Sequence, residues 1–434
     1  MTIYSTALLV ASCGDGVATM AALELDVSHR GPAGADARAP STGDVVVPDA
    51  ANVAMDGPRA GPDGPVGDGP AADGPADAAL PLADAALPLA DAALPLADAA
   101  LLLADAALLL ADAAAPDAAT PDAAVRSVAA CFEDAFVNPN EIGPDYDQFH
   151  PVVGGHCRGT NHQDIRNVER VVFLGDSVTV GTPPTLVSDY YRSRLAGTLA
   201  QRFGLMPPDP LWMNVDFFNG VALLRDAGDF SSCAKYGART DDLLQDSTQI
   251  VDCLPPEKRH LRTLVILTIG GNDIANLTKD GIEGATLDVL WAQTREFVGL
   301  MRDVAHWIKD PAHFPNGSYL VFANMFEFTD GTGDTAACPA AGLAGFGAAW
   351  EDPQALADMV VWANEQYLQI AVETGSDMTF MLESFCGHGF NAGNEAAPCF
   401  RGAGTPTWFD LTCIHPNPDG HREIADMFMA VVEE

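Results

Sequence analysis

The sequence predicts an α/β domain, a parallel sheet covered by helices on both faces, behind a long leading segment with no core of its own. Three observations carry this reading. Residues 1–125 are mostly Ala, Asp, Pro, Gly and Leu, with no aromatic after Tyr4, and aromatic side chains supply much of a core's buried area. From about residue 168, apolar runs of strand length alternate with amphipathic stretches of helix length. The strand-like runs are apolar throughout rather than alternating, as in sheets buried on both sides.

The chain opens with MTIYSTALLVASC, a short apolar run ending in small residues and Cys13. This resembles the lipobox of a bacterial lipoprotein and implies membrane attachment through a lipidated Cys13, although no Lys or Arg precedes it. Residues 1–13 are therefore read as a lipoprotein signal. Residues 14–125 are read as a disordered Ala/Asp/Pro-rich linker. Within it a heptapeptide repeats five times over residues 77–111, as DAALPLA and then DAALLLA. The period of seven suggests a coiled coil, but Pro81, Pro88 and Pro95 would break such a helix, and charge pairs flanking a seam are missing. The repeat is read as a spacer, with self-association or contact with the cell envelope as the functional alternative. Residues 126–167 form a lead-in expected to be tied by disulfides, and residues 168–434 form the domain proper.

The domain's elements follow in order. VERVVFLGDS is a buried strand running into a turn. VSDYYRSRLAGTLAQRFG has helical spacing and stops at Gly204. RTLVILTIGGND is a second buried strand, ending in glycines. DVLWAQTREFVGLMRDVAHWIK is a long amphipathic helix, and SYLVFANMFEF is a third strand. ALADMVVWANEQYLQIAVE is a helix, DMTFML a short strand, and GHREIADMFMAVVEE a closing helix. Parallel strands joined by helices carry their chemistry at the carboxyl ends.

The formal net charge is −38, with 18 acidic against 3 basic residues in 1–125 and 42 against 19 beyond. The acid is spread over both parts, which argues against nucleic acid and anionic membrane surfaces as partners. Eight of the nine cysteines lie beyond residue 130, without a CxxC pair or zinc-ligand spacing. An even, scattered set predicts up to four disulfides and an oxidising compartment. No run of 18 apolar residues is present.

Two strand ends carry polar signatures: GDS at 175–177 and GGND at 270–273. Between them lies YGARTDDLL, with Gly237, and near the end FDLTCIHPNPDGH, with His415. In this order the four blocks resemble those of the SGNH hydrolase superfamily, also called GDSL esterases and lipases, over roughly residues 168–434. The resemblance implies a three-layer α/β/α, flavodoxin-like fold and ester hydrolysis without cofactor or metal. It implies Ser177 as nucleophile and His415 as base. Backbone N–H groups of Ser177 and Gly237, with the Asn272 amide, would form the oxyanion hole. The residue types make chemical sense. A serine hydroxyl needs a base to take its proton, imidazole titrates near neutrality, and a nascent oxyanion needs donors already in place.

One position departs from the family pattern. Its acid lies three residues before the histidine, where this chain has Thr412. Either Asp410 reaches the far ring nitrogen through a looped LTCI segment, or a main-chain carbonyl, most simply that of Thr412, orients the ring. Asp410 is the expectation. Cys413 is expected to pin this loop by a disulfide, with Cys399 as partner. Asp176 and Asp273 are expected to support their loops. His388 is read as a loop histidine, His421 as the start of the last helix, and TDGTGD (329–334) as a loop without the ligand spacing of a calcium site.

The reading is a secreted or cell-envelope serine esterase or lipase, monomeric, acting on a small-molecule or lipid ester. Carbohydrate O-acetyl esterase and phospholipase are the nearer alternatives. A non-catalytic surface-binding lipoprotein on the same fold is the rival from another class.

Overall fold

The computed structural model describes Leu9–Val10, Ala21–Ala22 and residues 126–434, apart from 139–142, 246–248, 339, 343–349 and 351. Leu9–Val10 pairs antiparallel with Ala21–Ala22. The lipobox cysteine, the rest of the linker and the heptapeptide repeat lie outside the described residues.

The domain is built on one six-stranded sheet. Its strands are β1 (Arg170–Gly175), β2 (Asp226–Ala227), β3 (Phe230–Ser232), β4 (Thr263–Thr268), β5 (Ser318–Ala323) and β6 (Asp377–Thr379), in the spatial order β6-β5-β4-β1-β3-β2. The first five of that order run parallel, and β2 closes the edge antiparallel to β3. Among the parallel strands the chain goes from β1 outward to β3, then returns across β1 to β4 and proceeds to β5 and β6. This is the 2-1-3-4-5 order of flavodoxin-like sheets, and the direction reverses between β1 and β4. Crevices that receive ligands open at such a reversal, outside the carboxyl ends of the two strands.

Strand side chains alternate between two cores. Val171 and Phe173, with Leu264 and Ile266, pack in one core with α2 (Tyr191–Phe203), α6 (Met381–Phe385) and α7 (Pro418–Glu433). Val172 and Leu174, with Val265 and Leu267, pack on α4 (Leu287–Lys309) and α5 (Pro353–Thr374). All six residues of β1 and of β4 are buried. Removing a side chain of this size from water contributes about 1.5–3 kcal/mol, so the apolar runs settle between helical layers rather than at an edge.

Sequence and structure agree closely on these helices. α2 ends where Gly204 N–H bonds back to Ala200 O. α5 is capped by the Asp352 side chain, and α7 by Asn417 with Pro418 in its first turn. Two features differ. The glycines at 270–271 do not merely end β4, because they open a further helix, α3 (Gly271–Ile282). The edge strand β2 and its neighbour β3 are too short, and too polar in DA and FSS, to read from the chain.

The lead-in lies on the outer side of β6. Thr160 N–H donates to Met378 O, Phe380 N–H to Arg158 O, and Asp377 accepts from Thr160 Oγ1 and His162 N–H. Four disulfides join Cys131–Cys157, Cys233–Cys253, Cys338–Cys413 and Cys386–Cys399. The expected Cys413–Cys399 bridge is thereby corrected. Cys413 and Cys338 are buried in the core beside α7, whereas Cys386 and Cys399 cluster separately with Phe136. Four disulfides fit an extracytoplasmic protein. Among the described residues no helix is long and apolar enough to cross a membrane.

Candidate active site

The end of β1 is held in place before Ser177 appears. Gly175 has φ +125°, and a Cβ there would strike the Thr268 carbonyl at the end of β4, so the two strand ends approach as only glycine allows. Gln249 grips Gly175 from the other side: Gly175 N–H donates to Oε1 at 2.9 Å, and Nε2 donates to Gly175 O at 3.0 Å. Asp176 then caps the one-turn helix α1 (Ser177–Val180), accepting the Val178 N–H at 3.0 Å. The turn leaves Ser177 at the carboxyl edge of the sheet, beside the reversal between β1 and β4.

His415 comes from the loop before α7. Asp410 N–H donates to His415 O at 2.8 Å, which closes the loop on itself, and the Cys338–Cys413 bridge anchors its middle. Its Nε2 lies 2.9 Å from Ser177 Oγ. On the far side of the ring the geometry differs from both arrangements expected from the sequence. The atom 2.8 Å from Nδ1 is Thr412 Oγ1, the side-chain hydroxyl. Asp410 sits one bond further back, its Oδ1 2.5 Å from Thr412 Oγ1 and 2.8 Å from Thr412 N.

Asn272 is the second residue of α3. Its Nδ2 donates to Ala238 O at 2.9 Å, which fastens β4's end to the segment carrying Gly237. The next residue, Asp273, fastens the same segment by accepting Thr240 N–H and Thr240 Oγ1–H at 3.1 and 3.0 Å. Gly237 has φ +71°, a conformation that favours glycine, with open space where a Cβ would stand. The N–H groups of Ser177 and Gly237 donate to nothing among the described residues. With the second Nδ2 proton of Asn272, these are three donors without a partner among the described residues.

Burial sets the electrostatics. It lowers the His415 imidazole to about 4, because a charged ring is penalised away from water. It pushes Asp410 up to about 6 against the Thr412 hydrogen bonds. Asp176 and Asp273 rise to about 7 for the same reason, against their own hydrogen bonds. A neutral imidazole facing a serine hydroxyl at hydrogen-bond distance can accept its proton.

The other sequence candidates lie apart from this contact. His388 stacks on Trp408 at 3.4 Å between ring centroids, with Nδ1 2.8 Å from Pro406 O. His421 is in the first turn of α7, buried, with Nδ1 accepting the Tyr191 N–H at 3.2 Å. Asp330 of the TDGTGD loop accepts the N–H groups of Gly387, Gly389 and Asn391. Gln249 and the Thr412 hydroxyl were not singled out by sequence. A glutamine gripping a strand end has no local signature, and a hydroxyl's partner is set by how its loop folds.

Ser177, Asn272 and His415 line one cavity of about 180 Å³. Asp176 also lines it, whereas Gly237 does not. The remaining walls are mostly apolar, with Ile274, Phe326, Leu356, Val360 and Ile414 among them.

A model of the GDSL-like Lipase/Acylhydrolase family matches residues 173–423. No curated protein matches. Among solved structures, the chain is similar to an extracellular lipase from Streptomyces rimosus at 17% identity, covering 61% of this chain and 100% of that one, with a TM-score of 0.37. It is similar to a carbohydrate acetylesterase from Sinorhizobium meliloti at 14% identity, covering 61% and 100%, with a TM-score of 0.32. It is also similar to a lipolytic protein of the G-D-S-L family from Veillonella parvula at 12% identity, covering 61% and 98%, with a TM-score of 0.32.

Proposed function

Because the chain belongs to the GDSL-like lipase/acylhydrolase family and is thereby an ester hydrolase, we propose that it cleaves carboxylic esters through an acyl-enzyme formed on Ser177. The observation that carries this reading is the 2.9 Å contact between Ser177 Oγ and His415 Nε2 in the wall of a mostly apolar cavity. Ser177 Oγ attacks the ester carbonyl as His415 Nε2 takes its proton. The carbonyl oxygen becomes an oxyanion, met by the N–H groups of Ser177 and Gly237 and by Asn272 Nδ2. His415 returns the proton to the leaving alcohol. Water then repeats the sequence on the acyl-enzyme and releases the acid. Asp176 and Asp273 hold the loops that carry these groups.

The cavity favours an apolar acyl chain over an acetyl group. An apolar cavity of about 150 Å³ holds a benzene-sized guest, so 180 Å³ takes roughly six to eight carbons. With p-nitrophenyl esters of increasing acyl length, kcat/KM of the full chain is expected to peak at about that length and to fall for acetate. A maximum at acetate would sink the acyl-chain reading and favour a deacetylase.

The pH profile follows from burial of the base. A histidine with an ordinary pKa loses its basic form below 6.5, but burial lowers His415 to about 4. Falling pH therefore protonates it later than a free imidazole. The acid limb of kcat/KM, which reports the free enzyme, is expected below pH 6.5. A limb above that value would contradict a buried, unprotonated base.

A further inference from the structure

The usual acid of this catalytic arrangement is absent from the position three residues before His415, and a threonine stands there. We propose that the Thr412 hydroxyl takes the acid's place as a positioning group, accepting the His415 Nδ1–H and donating its own proton to Asp410, so that Asp410 orients the base through Thr412. The inference rests on the proposed roles of Ser177 and His415 and adds the element that fixes the ring between them.

The direction of the chain follows from counting protons. Thr412 Oγ1 has two close partners, Asp410 Oδ1 at 2.5 Å and His415 Nδ1 at 2.8 Å, but only one proton. Two oxygens 2.5 Å apart need a proton between them, and this is the length of a hydroxyl bonded to a carboxylate. Above about pH 6 Asp410 is ionised and has none to give, so the Thr412 proton lies toward Asp410. The hydroxyl's lone pairs are then what it offers the ring, and Nδ1 must carry the hydrogen. The neutral imidazole has one N–H, so Nε2 is left bare, facing Ser177 Oγ at 2.9 Å. Had the hydroxyl pointed at Nδ1 instead, the hydrogen would sit on Nε2, and the ring could not accept the serine proton.

The surroundings hold this polarity. Asp410 Oδ1 also accepts the Thr412 N–H at 2.8 Å, so the carboxylate and the hydroxyl are locked to the same residue. Asp410 N–H holds the His415 carbonyl at 2.8 Å. Asp410 Oδ2 has no partner among the described residues, so the carboxylate's hydrogen bonding is concentrated on Thr412. No proton moves along Thr412 or Asp410 during the reaction. The Nδ1–H and Oγ1–H bonds stay intact, and the only proton in transit is the one between Ser177 Oγ and His415 Nε2.

The test uses the full chain carrying 15N-labelled histidine, with the His415 signals identified by their loss in H415Q. The variants are T412V, D410N, T412V/D410N and T412D/D410N, each checked for native folding by circular dichroism. In the wild type the His415 nitrogens should report hydrogen on Nδ1, and in T412V the hydrogen should shift toward Nε2. With a p-nitrophenyl ester, kcat of T412V should fall about a hundredfold or more, with KM within about threefold. T412V/D410N should be no slower than T412V, because Asp410 acts through the hydroxyl. T412D/D410N, which puts a carboxylate directly on Nδ1, should recover at least about tenfold over T412V/D410N. If T412V does not fold, D410N alone must still disturb the tautomer. An unchanged tautomer in T412V or D410N overturns the proposal, as does a loss in the double variant equal to the product of the two single losses. If the wild type hydrolyses no ester, the serine-hydrolase reading fails, while the histidine signals still decide the relay.

Discussion

Ser177→Ala is expected to lower kcat on a p-nitrophenyl ester by about 10⁶, leaving only the acceleration that binding and oxyanion donors give to attack by water. His415→Ala should cost about as much, and the double variant little more, because the proposed nucleophile and base would act as one unit across the 2.9 Å contact. The substitution at 177 deletes a single oxygen from a buried residue whose loop is held by others: Gln249 on Gly175, Asp176 on Val178, and the close pass of Gly175 over Thr268. The thermal midpoint should therefore change little, so lost activity cannot be blamed on lost fold. A Ser177→Ala protein that keeps a tenth of wild-type kcat would rule out this serine as the nucleophile.

Asn272→Ala is expected to lower kcat by about 10²–10³, or roughly 3–4 kcal/mol of barrier, with a smaller change in KM. The side chain has two protons on Nδ2. One is committed to Ala238 O, which fixes the amide's orientation and leaves the other for the developing oxyanion. Asn272→Asp is the sharper variant, since it keeps the shape but puts a negative charge where negative charge must grow. It should be at least as slow as the alanine variant. A kcat within fivefold of wild type for Asn272→Ala would remove this residue from the oxyanion hole.

The features legible in the chain are those whose cause is local. The runs Val171–Leu174 and Leu264–Leu267 are apolar throughout because helices cover both faces of the sheet, and that pattern is visible without coordinates. Gly175, Asp176 and Ser177 follow the first run, and Asn272 follows the second, so both reactive strand ends could be located from their strands. The flavodoxin-like order was implied by the family resemblance, and the pairing register bears it out. What stayed hidden depends on contacts between distant segments. Cys413 is bridged to Cys338, 75 residues away, rather than to the nearer Cys399, because the two lie in the core beside α7. α3 was missed because the glycines at 270–271 read as a strand's end, although Ile274 and Leu277 carry the start of a helical stripe. The Thr412 hydroxyl is not legible as a partner of the ring, because a threonine three residues before a histidine carries no local signature. Only the folded loop places Oγ1 between Asp410 and Nδ1.

Ser177 and His415 touch although 238 residues separate them. Strands β2 to β6 all lie between the two in the chain. The consequence concerns synthesis. With the proposed roles, a nascent chain that ends before His415 carries its serine but has no ester-cleaving power, because its base has yet to be made.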